Sequence, residues 1–241
     1  MSEREIIVTA GGTREPIDDV RYVGNFSGGR FGLAIAEAFA DQVGQLGHII
    51  DGPEPNITLI APKETIERFG LPSGVRHESF TNAESLQKAL LGRRETPDII
   101  VQAAAVADFS PQKLDGKVSS NVESMTVNML RVPKILPELR KKYGEIPYII
   151  GFKLLSNVAE RDLIEVGRKQ LIDNRLDLTV ANSLQEIRPL GRRVIALAKG
   201  REDYVIEGST KNVASRLVTY ILTRSAQKES DRLASIPKEP I

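Results

Sequence analysis

The chain has 241 residues, which suits one domain of ordinary size or one carrying an accessory element. Lys plus Arg number 33 against 32 Asp plus Glu, and a formal charge of +1 excludes generic polyanion binding, so no nucleic-acid partner is expected. The absence of Cys excludes disulfides, thiolate nucleophiles and sulfur-ligated metals, and two widely spaced His do not build a metal centre, which leaves only a hard cation held by oxygens.

The first strand is expected at residues 5–9, a β-branched run stopped by Ala10-Gly11-Gly12-Thr13. Ser27-Gly28-Gly29 then opens a helix whose apolar spacing runs over 31–39. Residues 41–56 hold Gly44, Gly47, Gly52, Pro53 and Pro55 and read as a loop excursion with no assigned function. A strand at 57–61, a helix at 83–91 and a strand at 98–105, apolar enough for burial on both faces, continue the alternation of a parallel sheet. The polar stretch 109–130, with Met125-Thr126-Val127-Asn128, is expected as an extended arm serving as substrate flap or dimer contact. Strands at 148–152 and 178–181 enclose a helix at 158–172, a hairpin follows at 194–198 and 204–206, and a last helix spans 210–222. Residues 225–241 have few large apolar side chains and are expected as a mobile tail behind a domain of residues 1–224. No apolar run approaches the roughly 18 residues of a membrane span. The charged opening Met-Ser-Glu-Arg-Glu lacks a signal-peptide core, so a cytoplasmic protein without a membrane partner is expected.

A strand followed by Gly11-Gly12 invites a dinucleotide-binding reading, because glycine lets backbone N–H groups approach a phosphate. The second strand, however, ends in Ala61-Pro62-Lys63 without the ribose-binding acid, and no Tyr has a Lys four residues on, so hydride transfer lacks its residues. Gly24-Asn25-Phe26-Ser27-Gly28-Gly29-Arg30-Phe31 has the glycine spacing of a Walker A loop, but Arg30 replaces the lysine and Phe31 the magnesium-binding hydroxyl. Phosphate binding through backbone donors survives these departures.

Residues 9–18 (Thr-Ala-Gly-Gly-Thr-Arg-Glu-Pro-Ile-Asp), Val20-Arg21-Tyr22 and Asn25-Phe26-Ser27-Gly28-Gly29-Arg30-Phe31-Gly32 together resemble the opening of the phosphopantothenate–cysteine ligase family. Ala103-Ala104-Ala105-Val106-Ala107-Asp108-Phe109, Gly116-Lys117-Val118-Ser119-Ser120, Val132-Pro133-Lys134-Ile135-Leu136, Gly151-Phe152-Lys153-Leu154 and Asp177-Leu178-Thr179-Val180-Ala181-Asn182 follow in family order. The resemblance implies a three-layer, Rossmann-like α/β fold with a mainly parallel sheet and a projecting flap or dimerisation arm. It also implies a homodimer in which 4′-phosphopantothenate is activated by a nucleoside triphosphate with Mg²⁺ and then joined to L-cysteine. Because the ligase motif begins near residue one, a stand-alone, flavin-free form is expected.

By the same resemblance, Asn25 holds the acyl-nucleotidylate, Arg21 stands near the reacting groups, and Lys117 is a flap lysine neutralising phosphate charge. Ala104, Ala105 and Asp108 line the path of the acid. Gly11, Ser27, Gly29, Gly32, Phe152 and Asn182 contact the nucleotide. Gln170 and Asn174 stand where fused bacterial members carry CTP-binding lysines, and Val-Ser-Ser follows Lys117 where those members have more lysines. The base preference stays open between CTP, slightly favoured, and ATP. A nicotinamide-dependent oxidoreductase and a non-catalytic nucleotide sensor are the rival functions.

Overall fold

The computed structural model describes residues 4–46, 55–121, 123–187 and 191–235. In chain order the elements are β1 (Glu5–Thr9), β2 (Arg14–Pro16), β3 (Tyr22–Gly24), α1 (Arg30–Leu46), β4 (Asn56–Ile60), α2 (Lys63–Phe69), β5 (Val75–Glu78), α3 (Ala83–Leu91) and β6 (Ile99–Gln102). They continue with β7 (Phe109–Pro111), β8 (Met129–Arg131), α4 (Ile135–Tyr143), β9 (Tyr148–Leu155), α5 (Glu160–Asp173), β10 (Leu178–Ser183), β11 (Arg192–Ala198), β12 (Tyr204–Gly208) and α6 (Thr210–Ala234).

An eight-stranded sheet in the order β12-β11-β10-β9-β6-β1-β4-β5 forms the middle layer. Its six strands from β5 to β10 are parallel, and the β11–β12 hairpin adds the antiparallel end. The continuous apolar runs are explained by burial on both faces. Ile6 and Val8 point with Leu59, Val101, Ile150 and Val180 toward α1 and α6, while Ile7 points with Ile100 and Ile149 toward α3 and α4. Complete burial of each such side chain contributes about 1.5–3 kcal/mol, which makes these strands the least negotiable part of the fold.

Some elements depart from expectation. Helix α1 continues past residue 39 to Leu46, since Ala40 and Val43 extend its packed stripe and Gln42 Nε2 donates to Ser215 O at 2.8 Å. Residues 41–46 of the expected 41–56 excursion are therefore helix and Asn56 begins β4, while residues 47–54 of it lie outside the described residues. Helix α6 likewise runs to Ala234, so the expected tail begins as helix. Ala, Gln, Lys and Glu favour that conformation without apolar content, and Lys228 Nζ ties the helix to Asp177 Oδ1 (2.8 Å) and Pro147 O (3.0 Å). Residues 236–241 of that tail lie outside the described residues.

Strand β6 stops at Gln102 rather than 105, because the N–H groups of Ala103 and Ala104 turn aside to donate to Thr9 Oγ1 at 3.0 and 2.9 Å. Short elements α2, β5, α4 and the β2–β3 hairpin lie below the reach of periodicity. The arm is an antiparallel β7–β8 pair, and Met125 to Asn128 lead into it without being strand.

The chain adds β4 and β5 on one side of β1, then returns to place β6 on the other. This reversal opens a crevice at the carboxyl ends of β1 and β6, the usual ligand position in an open α/β sheet.

Candidate active site

The loop after β1 and the loop after β6 are joined across that crevice. Ala105 N–H donates to Gly11 O at 2.8 Å, Thr13 N–H donates to Ala105 O at 3.1 Å, and Ala107 N–H reaches Thr13 Oγ1 at 3.0 Å. Thr9 closes the base of the crevice through its hydroxyl, which also donates to Gln102 Oε1. Asn25, exposed at the end of the β2–β3 hairpin, donates from Nδ2 to Ala105 O at 3.3 Å. Asn25, Ala104 and Ala105 therefore share one edge of the crevice.

The glycines have packing reasons of their own. A Cβ on Gly11 would lie 2.6 Å from Pro62 Cδ, one on Gly29 would lie 2.7 Å from Thr65 Cγ2, and one on Gly32 would lie 2.7 Å from both Ala10 Cβ and Thr9 O. These contacts seat the start of α1 on β1 and against the start of α2. The turn 25–28 stands out into solvent with Ser27 half-buried and Ser27 N–H bonded to Asn25 O at 2.8 Å.

Lys117 is exposed, yet its segment is docked. Asp18, buried between β2 and β3, accepts the N–H groups of Val20 (2.8 Å), Arg21 (2.7 Å) and Val118 (3.1 Å) and the Arg21 guanidinium (2.7 Å). The Val20 N–H does most to hold the Asp18 carboxyl below the usual aspartate range, burial opposes it, and the Val118 and Arg21 N–H groups assist. Gly116 O accepts from Asp19 N–H at 3.1 Å, and Arg21 Nη1 donates to Val118 O at 3.3 Å. Arg21 and Lys117 are thereby brought to one side of the hairpin. Asp18 received no role from the sequence, although an Asx turn over 18–21 is a recognisable local signal. Asp108 is exposed beside β7 and paired with Lys134, and its O accepts from Val132 N–H at 2.9 Å.

The other end of the crevice is aromatic. Phe152 on β9 meets Phe31 edge to face, with centroids 5.9 Å apart, and Asn182 is buried at the end of β10. Gln170 Nε2 donates to Phe152 O at 3.2 Å, and Asn174 Nδ2 donates to Gln170 O at 2.8 Å. Both amides are thus engaged within the protein where lysines were weighed. Arg192 lies over the Phe31 ring with its guanidinium carbon 3.8 Å from the centroid, and no sequence signal marked it.

Among the described residues no three His, Asp or Glu side chains converge on a metal position. A Mg²⁺ held chiefly by phosphate oxygens and water needs no such protein cluster, so the donor set fits a metal arriving with nucleotide rather than a resident one. Among the described residues no helix is long and apolar enough to cross a membrane.

Comparison with known proteins agrees with this fold. The chain is 33% identical over 236 residues to the coenzyme A biosynthesis bifunctional protein CoaBC of Mycobacterium bovis, covering 92% of this chain and 53% of that protein. It therefore spans about half the length of the curated relatives it matches. The crystal structure of the DNA/pantothenate metabolism flavoprotein from Streptococcus pneumoniae superposes with a TM-score of 0.76 at 26% identity, covering 91% of this chain and 99% of that one. A Cab2 mutant solved in complex with phosphopantothenate-cysteine shares the fold, with a TM-score of 0.74 at 18% identity over 95% of this chain and 88% of that one. Residues 1–224 match the family described as the DNA/pantothenate metabolism flavoprotein C-terminal domain, and with so much of the chain inside that match the protein belongs to this family.

Proposed function

We propose that the chain is a ligase of coenzyme A biosynthesis that joins 4′-phosphopantothenate to L-cysteine. In the first half-reaction a carboxylate oxygen bonds to the α-phosphorus of CTP or ATP, CTP being slightly favoured, and the bond to the β-phosphate breaks with release of pyrophosphate. In the second, cysteine's amine bonds to the acyl carbon, the nucleoside monophosphate leaves with the former carboxylate oxygen, and the amine gives up a proton. The observation that carries this reading is the joining of Gly11-Gly12-Thr13, Asn25 and Ala104-Ala105 at one crevice, so that acid and nucleotide sites adjoin. The product bound in the Cab2 structure is the one this reading expects.

Such chemistry needs positioning and charge stabilisation rather than a protein nucleophile. Asn25 offers an amide N–H to the acyl carbonyl, a neutral donor that does not itself react. Ala104 and Ala105 leave room for the acid's chain, and Asp108 exchanges its pairing with Lys134 for a contact to the pantothenate part. Arg21 from the hairpin and Lys117 from the docked flap stand over the reacting charges, while Gly11, Ser27, Gly29 and Gly32 set the turn against which phosphates lie. Phe152 and Asn182 bound the base end. Mg²⁺, when bound, neutralises phosphate charge. The exposed Tyr22, Phe26, Phe109 and Leu130 on the hairpin and arm support a homodimer built on that side, and a cytoplasmic location fits the pathway.

The test is pyrophosphate release by the purified protein with Mg²⁺, 4′-phosphopantothenate and cysteine, run in parallel with CTP and ATP. Release that requires the pantothenate acid supports the reading, and the faster nucleotide fixes the base. A folded protein that binds nucleotide but releases nothing would instead be a nucleotide sensor.

A further inference from the structure

Arg192 and Arg193 are neighbours on β11 with opposite circumstances. Arg193 is paired twice, with Glu160 at 2.7 Å and Glu186 at 3.0 Å. Arg192 has no carboxylate partner among the described residues, and its Nε lies out of solvent without a hydrogen bond. Its guanidinium lies over the ring of Phe31, next in sequence to Arg30. Arg30 in turn lies over the Phe69 ring with its guanidinium carbon 5.9 Å from the centroid, and Arg68 approaches the same ring at 5.1 Å. Arg68 Nη1 is 3.8 Å from where a Cβ on Gly28 would stand, which places it at the exposed glycine turn.

No ion pair to Arg30 or Arg68 is present among the described residues either, and the first turn of α1 holds no acid. Aromatic rings hold these guanidiniums in place but do not neutralise them. A partly buried cation without a counter-ion, facing a second cation, is unfavourable unless an anion joins the set. Burial and then the Arg30 charge lower the pKa of Arg192 to about 10, so it stays charged at neutral pH.

We infer that Arg192, Arg30 and Arg68 form a cationic wall on the α1 side of the crevice that binds the terminal phosphates of the nucleoside triphosphate, and so the departing pyrophosphate. The identity of the ligand rests on the ligase reading, whereas the site for a di- or triphosphate anion stands on the arginines. A base offers neutral acceptors, which relieve one guanidinium's unmet donors but not repulsion between two. The phosphate chain does both. When the α-phosphorus bonds to the carboxylate and the α–β bond breaks, the electron pair moves onto the pyrophosphate oxygen, and donors already aimed at that group stabilise the charge as it forms. The wall also adds cations to a site whose flap lysine, Lys117, is followed by Val118-Ser119-Ser120.

The experiment is calorimetric titration of inorganic pyrophosphate, CTP and ATP into the full chain with Mg²⁺, for wild type, Arg192→Met, Arg192→Lys and Arg30→Met. Arg30 is exposed, so its variant leaves the packed core alone. Each Met variant is expected to weaken pyrophosphate and both nucleotides by about tenfold or more, with partial recovery in Arg192→Lys. Folded Met variants that bind pyrophosphate within about twofold of wild type would overturn the inference. Loss confined to one nucleotide with pyrophosphate binding intact would also overturn it and assign Arg192 to the base. Arginine-dependent pyrophosphate binding by a protein that never forms the amide would keep the wall and remove the ligase reading.

Discussion

Replacing Gly29 by Ala tests whether the glycine turn is built for close approach. Gly29 has φ +82°, and its missing Cβ would meet Thr65 Cγ2 at 2.7 Å and Gly11 N at 2.9 Å. Gly200, in the turn between β11 and β12, has φ +65° and nothing within 4 Å. Positive φ costs an L residue about 1–2 kcal/mol at either place. Overpacking against buried Thr65 and backbone adds about 1–3 kcal/mol at Gly29 alone. The totals are then roughly 2–5 kcal/mol for Gly29→Ala and about 1–2 kcal/mol for Gly200→Ala. A domain of this size loses about 2–4 °C of Tm per kcal/mol, so scanning calorimetry should give drops of roughly 4–20 °C and 2–8 °C respectively. At a temperature where both are folded, Gly29→Ala should also bind nucleotide less tightly than Gly200→Ala, which should match wild type. Equal Tm shifts, or native nucleotide affinity in Gly29→Ala, would show that close packing at Gly29 does not shape the nucleotide site.

Asn25→Ala should keep the fold, since the exposed side chain makes a single 3.3 Å bond to Ala105 O. Amide formation should fall about 10²–10³-fold while acyl-nucleotidylate accumulates in rapid-quench mass spectrometry, and undiminished turnover would remove the assigned role. Asp18→Asn should speed amide hydrogen exchange at Gly116 to Val118 and raise KM for the acid, and unchanged exchange would show that the flap does not depend on Asp18. Because the folded Asp18 carboxyl titrates below its unfolded value, its anchoring is fully present above the ordinary aspartate range. That anchoring disappears as pH falls through the lowered folded value, and an NMR titration midpoint at or above the ordinary value would contradict this. Asp177→Ala leaves Arg140, whose side chain is 2% exposed, without its 2.8 Å partner. Breaking such a buried pair costs about 3–5 kcal/mol, hence a Tm drop of roughly 6–20 °C, and a drop under about 2 °C would show the clamp to be dispensable.

Strands β1, β4, β9 and β10 were legible because burial on both faces leaves continuous apolar runs, and α3 was expected over the residues it occupies, where the structure adds a reciprocal cap from Asn82 and Ser85. The end of α6 was not legible, because its hold on the body comes from Lys228 reaching Asp177, a contact 51 residues away that leaves no periodic trace. Sequence likewise gave no view of Thr9 turning the chain after β6, since one hydroxyl serving residues 94 and 95 positions away is a property of sheet order. In the candidate site, Asn25, Ala104 and Ala105 were singled out through the resemblance, and the sheet order explains their meeting at one crevice edge. Arg192 was invisible in the sequence because its distinction from Arg193 lies only in which carboxylates the fold brings near.

Attack of a carboxylate oxygen on the α-phosphorus, in the crevice joining Ala105 to Gly11, is the step on which the proposed ligase function rests. Turnover of 4′-phosphopantothenate labelled with ¹⁸O in its carboxylate, followed by mass spectrometry of the nucleotide product, tests this directly. One ¹⁸O is expected in the nucleoside monophosphate for each amide formed. Label in inorganic phosphate, with nucleoside diphosphate as the product, would show attack at the terminal phosphate and contradict it.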